Sequence, residues 1–60
     1  MLTIAHYMEI AISDIIDLVE YEGWSFQKAL HTTLRQFTDE ELPHDTHYEI
    51  EHTAWRKLYW

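Results

Sequence analysis

Ile4, Met8, Ile12, Ile15, Ile16 and Val19 recur at helical spacing, while His6, Glu9, Ser13, Asp17 and Glu20 form a polar stripe on another side. This pattern predicts an amphipathic helix over residues 3–22. The "ISDII" run has strand character, but periodicity kept up over about twenty residues is too long for a strand. Gly23, the only glycine, follows directly, where a left-handed helix end favours a residue without Cβ.

A second helix is predicted over residues 25–37, "SFQKALHTTLRQF". Phe26, Leu30, Thr33, Leu34 and Phe37 share one face, and Gln27, Lys28, His31, Arg35 and Gln36 occupy much of the rest. Ser25 is the expected N-cap, but Lys28 at the third position denies it a capping box. Residues 38–46 read as a connector. Thr38 and Glu41 have capping-box spacing there, and Pro43 limits any helix to one turn. Thr46 with Glu49 repeats the signature in front of "HYEIEHTAWRKLYW", so a third helix is expected to start behind Thr46. Its early Glu49 and Glu51 and late Arg56 and Lys57 suit the helix dipole. Tyr48, Trp55, Leu58 and Tyr59 are expected to form its inward face.

The expected fold is therefore all-α: a single three-helix domain spanning residues 1–60, with a long N-terminal helix packed by two shorter ones. Helices of about 13 and 14 residues reach only some 20 Å each and cover one side of the first. Tyr7, Ile10, Leu18 and Tyr21 fall outside its main apolar row. That surplus predicts a homodimer or hetero-complex, with Ile10, Leu18 and Tyr21 as self-association residues. Association would also support a chain that, at this size, buries only about 60% of its unfolded surface. Cysteine is absent, which removes disulfides and thiolate zinc sites as supports.

A composition of 47% hydrophobic and 15% aromatic residues is too apolar for a disordered chain. Eleven acids against four bases give a net charge of −7, which argues against nucleic acid or an anionic membrane as a direct ligand and favours a basic protein partner. No run is apolar enough to span a bilayer. The opening "MLTIAHYMEI" has no basic n-region and Glu9 interrupts it, so no secretory leader is expected and the cytoplasm is the expected location. A DNA-reading helix–turn–helix is rejected because the third helix begins acidic.

The acids concentrate in "AISDIIDLVEYEGW", where Asp14, Asp17, Glu20 and Glu22 have no Lys or Arg among them. Acid–base catalysis would need a pocket that separates carboxylate pKa values, and three short helices are expected to leave little concave volume. Ser13 and Ser25 sit in no nucleophile motif. No catalytic residue and no cofactor are therefore expected. A row of carboxylates on a helix can instead occupy the Lys/Arg surface with which a nucleic-acid-handling protein holds phosphates. In that reading Trp24 is an apolar anchor, and Asp39, Glu40 and Glu41 extend the acidic surface. The plainer reading is a solvated face serving solubility, but solubility tolerates interspersed signs and this helix has none. Small acidic inhibitors carried by phages or mobile elements share the profile, as an analogy of class.

Two alternatives remain open at this point. One is a structural subunit or antitoxin-like partner that uses the apolar face of the first helix. The other is a metal-binding helical dimer built on His44, His47, Glu51 and His52, where Glu49-x-x-His52 is half of a di-iron pattern. The plain reading of those histidines is helix-start and surface residues. Trp24 and Trp60 are the aromatics expected to be most accessible.

Overall fold

Thr3 starts the first helix, α1 (Ile4–Glu20), and its hydroxyl accepts the His6 N–H at 3.3 Å. In the computed structural model, which describes residues 2–60, α1 is followed by α2 (Phe26–Leu34) and α3 (His44–Tyr59), with no strand among the described residues. Both later helices pack on α1 and touch each other far less. The three-helix all-α domain expected from periodicity is what forms. Its proportions differ: α2 has 9 residues and α3 has 16, nearly matching the 17 of α1.

The helix ends follow local chemistry. α1 stops at Glu20, two residues short of expectation. Tyr21 N–H bonds the Asp17 carbonyl at 2.8 Å, and Trp24 N–H reaches back to the Leu18 carbonyl at 3.1 Å. Gly23 between them adopts φ +71°, the left-handed conformation anticipated for it. A Cβ there would meet nothing within 4 Å, so only backbone strain opposes a side chain. Gly23→Ala should cost about 1 kcal/mol in a urea melt, and a larger loss would mean a contact that the geometry does not contain.

Ser25 caps α2 as expected, accepting the Lys28 N–H at 3.3 Å. Past Leu34 the chain tightens: Gln36 N–H bonds the Thr33 carbonyl and Phe37 N–H the Leu34 carbonyl, a three-residue pattern that ends the helix. The connector holds the reciprocal capping box. Thr38 N–H donates to Glu41 Oε1 at 2.9 Å, and Glu41 N–H donates to Thr38 Oγ1 at 3.2 Å.

The start of α3 corrects the sequence reading. Pro43, not Thr46, is the N-cap, and the helix begins at His44. Proline suits that junction because it has no N–H to satisfy and its φ is preset. Thr46 lies inside the first turn, so it is not the residue that caps the helix, and its hydroxyl donates instead to the Pro43 carbonyl at 2.6 Å.

The core joins all three helices and the connector: Ala11, Ile15, Phe26, Ala29, Leu30, Leu42, Ile50 and Ala54 are buried, with Tyr7, Met8, Ile12, Leu18 and Val19 packed around them. One alanine from each helix is fully buried, which lets backbones approach closely. Leu42, placed in the connector, fills the interior just before Pro43. The inward face of α3 is a second correction. Ile50, Ala54 and Leu58 point to the core, whereas Tyr48, Trp55 and Tyr59 are 66%, 49% and 52% exposed.

Candidate protein-binding surfaces

Four of the five acids of residues 9–22 lie on α1, and Glu22 lies in the turn behind it. Glu9, Asp17, Glu20 and Glu22 are exposed, and Asp14 is half-buried. Asp14, Asp17, Leu18, Thr33 and Gln36 border a hollow of about 210 Å³ between α1 and α2. On the other flank Glu9, Ser13 and Asp17 line a groove of about 530 Å³ against Thr53 and Lys57 of α3. Asp17 therefore sits on the crest between two depressions. The Lys57 ammonium shares the second one, so the acidic side has a basic neighbour at its border that α1 itself does not supply.

The acids do not form one continuous patch. Phe37, just before the connector, packs edge-on against Tyr7 with ring centroids 6.1 Å apart. The connector thus leaves from the N-terminal half of α1, and Asp17 lies ten residues, about 15 Å, further along the helix. Asp39 and Glu40 are exposed at that distant end. Glu41 is half-buried and its carboxylate is held by the Thr38 N–H, so it works as a cap and extends the acidic surface little.

Trp24 is also less available than expected. It is half-buried against the core, and the Lys28 ammonium lies 4.4 Å above its ring centre in a cation–π contact. Trp60 is 94% exposed, as anticipated. Of the residues expected to mediate self-association, Ile10 and Tyr21 are exposed at 42% and 80%, and Leu18 is partly buried, packed against the core at the edge of the α1–α2 hollow.

The concave volume exceeds expectation. Besides the α1–α3 groove, a trough of about 460 Å³ runs between α2 and α3, floored by Leu30 and Leu34 and walled by His31, Arg35, His47, Tyr48 and Glu51. It exists because α2 and α3 lean on α1 more than on each other. Both depressions lie open to solvent.

The histidines have local partners. The His47 ring Nε2–H donates to the Leu42 carbonyl at 3.2 Å and ties the start of α3 to the connector. His44 packs its ring 5.0 Å from that of His47, and His52 lies on Tyr48 with centroids 4.1 Å apart. Among the described residues no three His, Asp or Glu side chains gather as a metal-ligand set, so His44, His47, Glu51 and His52 are not one site within this chain.

The feature whose side the sequence did not give is the aromatic stripe of α3, which faces outward. Trp55 and Tyr59 stand 4.3 Å apart, and Phe26 of α2 meets both edge-on at 5.3 and 6.3 Å. The signal was present as two apolar stripes on one helix, the aromatic Tyr48, Trp55 and Tyr59 and the aliphatic Ile50, Ala54 and Leu58, of which only one could face inward. No helix among the described residues is long and apolar enough to cross a membrane. Comparison of the chain with protein-family models, with curated proteins and with solved structures finds no match to any of them.

Proposed function

We propose that this is a small, non-enzymatic binding protein that modulates or inhibits a basic, nucleic-acid-handling protein partner, as inhibitors of phage or mobile-element type do. The observation that supports the reading is the outward side of α1 and the turn behind it, where Asp17 and Glu20 of the helix and Glu22 of the turn are exposed beside half-buried Asp14, and α1 contains no Lys or Arg. Carboxylates three residues apart on a helix rise about 4.5 Å per step, of the same order as the roughly 3.4 Å of axis per phosphate in one DNA strand. A rigid α1 can therefore offer a Lys/Arg groove a row of charge at phosphate-like intervals. Folding sets the row in advance, which lowers the ordering cost of binding.

The test is capture from the native cell on immobilised protein, comparing the wild type with Asp14→Asn/Asp17→Asn/Glu20→Gln. A basic protein held by the wild type and lost by the variant is expected. Identical capture by both would refute the role of the acids. A second reading, a structural subunit or antitoxin-like partner that binds through apolar surface, is favoured by one observation. Large apolar side chains are exposed on two helices, Tyr48, Trp55 and Tyr59 on α3 as well as Ile10 on α1 and Tyr21 just past its end.

A further inference from the structure

Tyr48, His52, Trp55 and Tyr59 are spaced four, three and four residues apart, the interval that keeps side chains in one seam along a helix. All four are exposed, on the side of α3 away from the Ile50 and Ala54 that face the core. Their rings nevertheless pack in pairs. Tyr48 lies tilted against His52 with centroids 4.1 Å apart and Trp55 against Tyr59 at 4.3 Å, and Phe26 meets the second pair edge-on from α2. Rings that already lean on a neighbour have less freedom to lose on binding.

α1 carries a seam of the same spacing in Ile10, Asp14, Asp17 and Tyr21. Two copies meeting there would set carboxylates against carboxylates at its centre. The α3 seam has His52 and Trp55 at its centre and no acid. Charge along α3 also favours one orientation. Asp45, Glu49 and Glu51 lie in its first half and Arg56 and Lys57 in its second. Turning one copy end to end pairs the acidic half of each helix with the basic half of the other and opposes the helix dipoles. With Trp55 opposite the partner's His52, and Tyr59 opposite the partner's Tyr48, Glu49 borders the partner's Arg56 at two symmetric places.

We propose that the protein forms a two-fold, antiparallel homodimer through the Tyr48–His52–Trp55–Tyr59 face of α3. An aromatic side chain carries roughly 150–250 Å², so the exposed parts of Tyr48, Trp55 and Tyr59 amount to about 350 Å² per protomer. Covering them on both protomers buries about 700 Å² before the flanking Glu49, His52 and Arg56 are added, a small interface suited to weak, reversible association. The α1 acids are no part of this face, since Glu9 and Asp17 border Thr53 and Lys57 instead, so the dimer carries two acidic rows and can hold a two-fold partner with higher avidity.

Sedimentation equilibrium across the micromolar range tests this, with circular dichroism as a check on helicity. The wild type is expected to pass from the mass of one chain to that of two. Tyr48→Glu changes a mostly exposed side chain outside the core and should weaken association at least about 30-fold while helicity is kept. Arg56→Glu should weaken it by about tenfold, and Glu49→Arg/Arg56→Glu should recover it, since the paired charges return with signs exchanged. A wild type that stays monomeric at high micromolar concentration would overturn the proposal. So would recovery by Glu51→Arg/Arg56→Glu in place of the Glu49 pair, because that pairing belongs to parallel helices.

Discussion

Ile15→Ala removes about 2–5 kcal/mol of stability and leaves the protein largely unfolded in mild urea. Ile15 is fully buried where α1 meets both other helices. A chain of this length holds only about 3–9 kcal/mol in total, so one cavity at the centre consumes a large share of it. Cysteine is absent, so no disulfide can offset the loss. Ile10→Ala is the control, because Ile10 is 42% exposed and its truncation should change stability by about 0.5 kcal/mol or less. Urea titrations followed by circular dichroism, at one protein concentration to hold any dimer linkage constant, should separate the two midpoints widely. Equal midpoints would mean that the core is not centred on Ile15.

Asp14→Asn/Asp17→Asn/Glu20→Gln should weaken partner binding by about 100-fold, if each carboxylate meets a Lys or Arg worth about 1 kcal/mol. The three changes bring the net charge from −7 to −4 and keep side-chain size. Asp17 and Glu20 are exposed, so folding should be unaffected there, and Asp14 is only half-buried at the edge of the α1–α2 hollow. Binding measured by calorimetry, with the melting curve as control, separates the effect on recognition from any effect on the fold. An affinity within twofold of the wild type would assign the binding to other residues.

Periodicity and caps carried most of the fold. The Ile-rich row of α1, the left-handed Gly23, the Ser25 cap and the Thr38–Glu41 box are local features, each decided by a few neighbouring residues. What could not be read was which of two apolar stripes on α3 faces inward. Tyr48, Trp55 and Tyr59 outweigh Ile50 and Ala54 in bulk. The fold nevertheless buries the smaller pair, because close approach to α1 favours small side chains, as Ala11 and Ala29 do on the other helices. Leu42 was lost for a related reason. It stands in a polar connector without periodicity, and only the position of α3 relative to α1 makes it interior. The Thr46 cap failed because Pro43 starts the helix earlier, a choice between two adequate starts that tertiary packing decides. Of the acidic surface, the α1 row could be read directly from helical spacing. Lys28 over Trp24, Lys57 at the border of Asp17, and the separation of Asp39 and Glu40 from the row all depend on how the helices cross.

The acids of α1 are the proposed point of recognition, and salt tests them most directly. Raising ionic strength from about 0.1 M to about 1 M shortens the Debye length from about 10 Å to about 3 Å, which screens exposed charges and leaves apolar contacts intact. The measurement is the affinity of the captured partner for the wild type and for Asp14→Asn/Asp17→Asn/Glu20→Gln across that range. Wild-type affinity should fall by at least about tenfold, and the weaker affinity of the variant should change much less. Affinities that are equal for the two proteins and insensitive to salt would contradict recognition through the acids and place the partner on apolar surface instead.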